Sequence, residues 1–304
     1  MDKPNLVGVV TVTYNSAAVI RGFMDSLLLQ AHSEFSLYVI DNSSSDETLA
    51  LLADYRDSRI TILRNHDNLG VAEGNNIGIR AALKDGCGFV LLLNNDTVFD
   101  SHLLSRLLEG LRGHDSDMVV PKIVFFDQPD RIWSAGGYFS TLHGASRHFG
   151  FVQKDDGRFD QPRAVSYNPT CCMLIKREVF DRVGLMDANY FVYFDDTDFC
   201  WRAHRAGVKL FYLPTARLKH KVSSLTGVQS SFTIRYHTRN HVYYFLKNYS
   251  RWRAFFYCPA YYFYILGEHL LILRRPKSYW VAQKAFWEGI SLFNSSRARQ
   301  EGQH

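Results

Sequence analysis

Three carboxylates fall within four positions of the stretch YFVYFDDTDFCWRAHRAG, where Asp195, Asp196 and Asp198 follow directly on an aromatic run. The cluster has two chemical readings. If a helix starts there, Asp195 or Asp196 caps it, and acidic charge suits the positive end of the helix dipole. A general base that takes a proton from a hydroxyl needs the same setting: a carboxylate fixed in a partly apolar pocket, close to the substrate oxygen. A second polar group interrupts FVLLLNNDTVF, where Asn94, Asn95 and Asp96 follow five apolar residues. Asn and Asp favour turns, so Asp96 either turns the chain or holds a ligand. His220 closes the stretch LPTARLKH. It is either a structural histidine or a metal ligand, since an imidazole with a carboxylate can hold Mg2+ or Mn2+ beside a diphosphate.

Such side chains need elements to position them. Leu6 to Val12 reads as a buried first strand, and Leu37 to Ile40, RITILRN and GFVLLLNND as three more. Between them lie helical spacings: residues 16 to 31 with Ser16 as N-cap, a stretch carrying Leu49, Leu51, Leu52 and Tyr55, and a glycine-rich turn opening a helix in GVAEGNNIGIRAALKDG. This alternation predicts a doubly wound, Rossmann-like, mostly parallel sheet flanked by helices. Ligands of such sheets bind beyond the carboxyl ends of the strands. Thr13-Tyr14-Asn15, Asp41-Asn42-Ser43 and Asn94-Asn95-Asp96 all follow apolar runs, so they are expected to converge on one edge. After about residue 115 the pattern is mixed. Residues 140 to 165 are polar and loop-rich, and TCCMLIKREVFDRVG reads as a strand leading into a helix.

The chain has 304 residues, 46% hydrophobic and 21% charged, which excludes a disordered protein and allows one elaborated domain or two subdomains. A formal charge of +5 suits a phosphorylated ligand or an anionic membrane surface without selecting either. The basic residues are scattered and form no nucleic-acid-binding motif, so no nucleic-acid partner is expected. Five cysteines with no CxxC pair argue against a disulfide framework, and no basic-then-apolar leader opens the chain. A cytoplasmic location is expected.

The order of motifs resembles the inverting family 2 glycosyltransferases with the GT-A fold, rhamnosyltransferase-like members above all. The segments that carry the resemblance are VVTVTYNS, VIDNSSSDET, NHDNLGVAEGNNIGI, LLLNNDT, TCCMLIKREVFDRVGLMDANYFVYFDDTDFCWRAHRAG and LKHKVSS, in the family's order from about residue 6 to 225. The resemblance implies a nucleotide-sugar-binding half at 1–114 and an acceptor-binding and catalytic half at 115–225; beyond it, the aromatic and basic region 226–304 is expected to be helical from its spacing. The resemblance implies Asp196 as catalytic base with Asp195 as its acidic neighbour, and Asp96 and His220 as ligands of the Mg2+ or Mn2+ that bridges the donor diphosphate. Asp41 then reads the pyrimidine base, Thr13, Tyr14 and Asn15 line the nucleotide pocket, Asn95 belongs to the metal-binding turn, and Asn68, Gly70 and Asn75 cover the nucleotide and sugar. Arg239, in RYHTRNH, is the candidate that assists the leaving diphosphate. Two departures stand out. Asn94 replaces the first acid of the DxD-type motif, so the nucleotide must supply more of the metal's coordination, and Asp195 stands where glutamate is commoner. No QxxRW segment is present, which favours transfer of one sugar or a few. Trp201 is either a core aromatic or a platform for a sugar ring.

From Tyr236 the chain is aromatic and basic with helical spacing. RWRAFFYCPAYYFYILGEHLLILRR, residues 251 to 275, has the length of a membrane span. Pro259 is expected to interrupt it, and Glu268 with His269 would be costly within a bilayer. An interfacial helix and a helix buried against the protein or across a homodimer remain as readings. The expected partners are a nucleotide-diphosphate sugar, dTDP-L-rhamnose first and a UDP-hexose or UDP-galactofuranose second, and a glycan or polyprenyl-linked acceptor, with contact at the inner face of the cell membrane. Two other classes stand against this. A nucleotidyltransferase would carry a glycine-rich, Lys/Arg-bearing loop after the first strand, which TYNSAAVIRG lacks. A non-catalytic nucleotide-sugar-binding protein would have little need of Asp41, Asp96, Asp196 and His220 together.

Overall fold

Alternating apolar residues make β1 (Lys3–Thr13) an inner strand: Val7 and Val9 point to one side, Val10 to the other, and all three are fully buried. The computed structural model describes residues 3–140, 145–221, 230–268 and 276–301. On either side of β1 run β2 (Phe35–Asp41) and β4 (Cys87–Leu93), both parallel to it, and β3 (Ile60–Arg64) pairs in parallel with β2. Helices α1 (Ile20–Leu28), α2 (Thr48–Ala53) and α3 (Gly70–Lys84) make the crossovers that parallel strands require. This is the doubly wound half predicted from the apolar runs.

The chain continues through β5 (Thr97–Phe99), α4 (Leu103–Gly113), β6 (Met118–Phe125), β7 (Ile132–Ser134) and the hairpin β8 (Gly137–Ser140) and β9 (Ala145–His148). It then forms β10 (Arg163–Val165), β11 (Cys172–Lys176), α5 (Arg177–Val183), α6 (Asp195–Arg205) and β12 (Leu210–His220). The sheet order is β10-β12-β6-β11-β4-β1-β2-β3, with β5 on β12 and β7 on β6. β6 and β12 are parallel to each other, while β11 runs antiparallel between β4 and β6. One face is covered by α1 and α4 on Val9, Leu37 and Leu91, the other by α3, α5 and α6 on Val10, Ile40 and Leu92. Each buried Leu or Ile contributes about 1.5–3 kcal/mol. The approach of α3 to β1 depends on Gly78: a Cβ there would stand 2.3 Å from Val10 Cγ1. Thus only Gly70, at φ 81°, serves the turn, and the later glycines lie inside the helix as contact surface.

Residues 145 to 165 are tied down. Lys122 of β6, buried, pairs with Asp155 at 2.7 Å and with Asp160, and Arg217 reaches Asp155 at 3.0 Å. Residues 141 to 144 lie outside the described residues.

Two sequence expectations fail. Ser16 does not cap α1, which starts at Ile20 with no side-chain cap. Its N–H donates instead to Thr48 Oγ1 at 2.7 Å and its hydroxyl receives Asn95 Nδ2 at 3.1 Å, so Ser16 serves the loops at the strand ends. Pro259 does not interrupt its segment: α8 (Arg251–Leu266) runs through it. Pro259 removes the helical partner of the Phe255 carbonyl, and both residues lie on the exposed side of α8.

By contacts the chain forms two compact units, Met1–Phe191 with Asp195–Val222, and Val192–Phe194 with Ser223–His304. In the second unit, α7 (Ser231–Asn248), α8 and α9 (Pro276–Glu301) share a small core of Val242, Ile265, Ala282 and Phe286. Among the described residues no helix is long and apolar enough to cross a membrane. His269 and residues 270–275 of the predicted membrane-facing segment lie outside them.

Candidate active site

Parallel strands leave their carboxyl ends on one edge, and that edge collects the polar residues. At the end of β1, Thr13 Oγ1 donates to Asp41 Oδ1 at 3.0 Å, and Asp41 Oδ2 accepts from the Ser44 N–H at 3.1 Å. Asp41 is thus buried and oriented at the end of β2, with one lone pair left on each oxygen. Asn15, at φ 50°, accepts the Ser45 N–H at 2.8 Å and so joins the two loops. Tyr14 is exposed beside them. Asn42 donates to Asn68 Oδ1 at 3.3 Å and to the Gly70 carbonyl at 3.0 Å, and Asn68 Oδ1 also receives the Gly70 N–H, fixing the start of α3.

Asp96 and His220 come together through strand pairing. β5 pairs antiparallel with the end of β12, setting Thr97 opposite His220, and the Lys221 N–H donates to the Asp96 carbonyl at 2.8 Å. His220 Nε2 consequently faces Asp96 Oδ1 at 3.1 Å. Asp96 Oδ1 and His220 Nδ1 are both buried without a well-aligned hydrogen bond. Burial works against charge on His220, but neighbouring Cys171 and Asp96 outweigh it and raise its pKa. The Cys171 thiol is itself pushed up by burial, so Asp96 is the partner that counts near neutrality. An unsatisfied carboxylate oxygen beside an imidazole nitrogen is a donor set that suits Mg2+ or Mn2+. Among the described residues no group of three or more His, Cys, Asp or Glu could hold a metal ion; the pair that faces each other here is Asp96 and His220.

Asn95, assigned to the metal-binding turn by resemblance, donates to the Val12 carbonyl at 2.7 Å and to Ser16 Oγ. It braces β4 to β1 beneath Asp96. Asn75 donates to Met186 Sδ at 3.6 Å, while Asn76, unnoticed in the sequence, makes a two-way bond with the Met186 backbone at 2.9 Å. Gly70 lies under the same loop, since a Cβ there would stand 2.3 Å from the Phe191 carbonyl.

The acidic cluster divides by role. Asp198 is fully buried and structural, accepting from Tyr190 Oη at 3.2 Å and Arg202 Nε at 2.8 Å. Asp196, half-buried, accepts the Thr197 N–H at 2.6 Å, Thr197 Oγ1 at 3.2 Å and Tyr167 Oη at 3.1 Å. Ser146 of β9 links the two supports, bonding Thr197 Oγ1 at 3.1 Å and the Tyr167 hydroxyl. Burial and the neighbouring Asp196 charge push Asp195 up to about 8, and burial also raises Asp196. Two adjacent buried carboxyls titrate as a pair and share one proton near neutrality. Burial is the main cause for both, and the bonds from Tyr167 and Thr197 favour the charged form of Asp196.

Two predictions arise here. Tyr167→Phe removes a bond that favours the charged form of Asp196, so the Asp196 pKa rises further. The acid limb of the kcat/KM profile is expected to move up by about one pH unit, read from a pH series. Asp195 binds a proton more tightly when folded than when unfolded, so its contribution to stability falls as pH rises from about 4 to about 8. Asp195→Asn is therefore expected to raise Tm by on the order of 10 °C at pH 8 and hardly at pH 4.

Arg239 lies on α7 of the second unit, where Nε donates to Asn240 Oδ1 at 2.8 Å and the guanidinium covers Tyr236; burial lowers its pKa. Trp201 packs edge-to-face on Phe139 at 5.0 Å, as a core aromatic would.

Residues 8–184, more than half of the chain, match the family described as Glycosyl transferase family 2. The chain belongs to that family. It is 26% identical over 206 residues to the low-salt glycan biosynthesis hexosyltransferase Agl10 of Haloferax volcanii, covering 67% of this chain and 63% of Agl10, less than two thirds of that relative. It is 24% identical over 272 residues to the N-acetylglucosaminyl-diphospho-decaprenol L-rhamnosyltransferase of Mycobacterium tuberculosis, 82% of this chain and 87% of that protein. Among solved structures, GalNAc-T7 with UDP, GalNAc and Mn2+ superposes with a TM-score of 0.61 at 16% identity, over 79% of this chain and 48% of that one. The fold is GT-A.

Proposed function

We propose that this family 2 member is an inverting glycosyltransferase that moves one sugar from a nucleotide-diphosphate donor to a glycan or polyprenyl-diphosphate-linked glycan. The observation that carries this reading is the Asp196 carboxylate held by Tyr167 Oη and the Thr197 N–H at the start of α6. Asp196 takes the acceptor hydroxyl's proton as that oxygen bonds to the anomeric carbon. The carbon–oxygen bond to the diphosphate breaks, and its electron pair leaves with the nucleotide. Asp41 holds the pyrimidine base, Thr13, Tyr14 and Asn15 shape the nucleotide pocket, and Asn68, Gly70 and Asn75 keep the loop over donor and sugar. Asp96 and His220 would hold a divalent cation; when bound, it neutralises charge on the departing phosphate, with the nucleotide completing its coordination.

dTDP-L-rhamnose is the first-choice donor; the name of the mycobacterial relative supports the L-rhamnosyl group, and that of the dTDP-rhamnosyl transferase RfbF of Shigella flexneri, 22% identical, supports the nucleotide. A UDP-hexose, galactofuranose included, is the second reading, supported by the hexosyltransferase name of Agl10 and the UDP bound in GalNAc-T7. A polyprenyl-linked acceptor places the enzyme at the inner face of the cell membrane. The test is nucleotide diphosphate release from dTDP-, UDP- and GDP-sugars, with acceptor glycan, in Mn2+ or Mg2+ and then EDTA. Release from one donor that EDTA abolishes is expected. Binding of the donors without any turnover would turn the reading to a non-catalytic binding protein.

A further inference from the structure

We infer that the outward faces of α8 and α9 form a docking surface for an anionic lipid bilayer. The inner faces of these helices are satisfied, closing with α7 on Val242, Ile265, Ala282 and Phe286. Their outer faces are uncovered and aromatic. On α8, Trp252, Phe255, Phe256 and Phe263 are exposed, Trp252 to 78%. At 100° per residue they form one stripe, with exposed Pro259 between them, spanning about 17 Å of helix. Ala254, Cys258, Tyr261 and Ile265 fall on the opposite side and face inward.

The second helix carries charge into the pattern. Lys277, Trp280, Lys284 and Trp287 recur every three or four residues on α9, so they share a face, and all four are exposed. The Trp287 ring lies 6.4 Å from that of Tyr262, which brings its exposed face to the flank of α8. Tryptophan alternating with lysine is the chemistry of a membrane interface: the indole sits at headgroup depth, and the lysine stem runs along it to put the ammonium on lipid phosphate.

Charge decides between a bilayer and a second copy of this chain. From residue 251 to 301 the sequence holds eight Lys or Arg against three Glu. Of the three, Glu288 is tied to Arg235 and Glu301 to Arg297. A two-fold contact sets a face against itself, which would bring like cations together without matching acids. A negative lipid surface matches them. Single exposed aromatics need no explanation, but a continuous aromatic and cationic stripe does. The inference is independent of the sugar chemistry proposed above.

The test is co-sedimentation of the full chain with phosphatidylcholine vesicles, alone and with about 30 mol% phosphatidylglycerol, at low and high salt. Wild type is expected to partition at least about ten-fold more strongly to the anionic vesicles. Phe255→Ser/Phe256→Ser/Phe263→Ser and, separately, Lys277→Glu/Lys284→Glu are each expected to lose about ten-fold of that binding, while nucleotide release in solution stays unchanged. Wild type remaining in the supernatant with every vesicle would overturn the inference, as would undiminished binding by both variants. A dimer in sedimentation equilibrium that the triple variant dissociates, with no vesicle binding, would assign the face to a second copy and equally overturn it.

Discussion

Asp196→Asn is expected to bind donor as wild type does and to lose transfer by a factor of about 10²–10⁴. The amide has almost the shape of the carboxylate; its one carbonyl oxygen can still accept from the Thr197 N–H while its NH2 donates to the Tyr167 oxygen, so the start of α6 is retained. What it lacks is a basic oxygen. It also removes the Asp196 charge, the smaller of the two main causes that raise Asp195, so the Asp195 pKa falls but burial still holds it up. Asp195 is fully buried behind position 196 and cannot take over as base. Donor affinity from calorimetry, set beside transfer rates on the same preparations, checks this. A near wild-type rate would remove Asp196 from the chemistry and return the acidic cluster to helix capping.

Asp96→Ala is expected to abolish the gain in nucleotide diphosphate affinity that Mn2+ confers and to slow transfer by about 10²–10³. Of the Asp96–His220 pair, which faces across 3.1 Å, the substitution leaves only the imidazole. The local fold survives, because the tie to β12 uses the Asp96 carbonyl and the Lys221 N–H, not the carboxylate. Titrating nucleotide diphosphate with and without Mn2+ reads the effect. An unchanged metal dependence would reduce Asp96 to a turn residue after β4.

Much of the parallel half was legible because apolar runs such as Val7–Val10 and Val90–Leu93 end abruptly in polar triplets, and strand ends on a parallel sheet share an edge. The rest depends on pairings that no local pattern encodes. Asp96 meets His220 only because β5 turns back onto β12, far along the chain; resemblance, not spacing, paired them beforehand. Tyr167 and Ser146 sit in YNPT and ASRH, with nothing in either stretch to announce a role at Asp196. Only the folding of β9 and of the segment before β11 against α6 brings them there. Asn75 and Asn76 differ by 100° around α3, and the sequence does not say which meets the Met186 backbone. Ser16 misled for a related reason: it has the chemistry of a cap, but Thr48 and Asn95 compete for it more effectively than the helix start.

The measurement closest to the central claim is the anomeric configuration of the product against that of the donor, by proton NMR on the donor that the release assay selects. Direct attack assisted by Asp196 breaks the donor bond as the new one forms on the opposite face, so inversion is expected. Retention of configuration would require two displacements and contradict a role for Asp196 as the base of a single one.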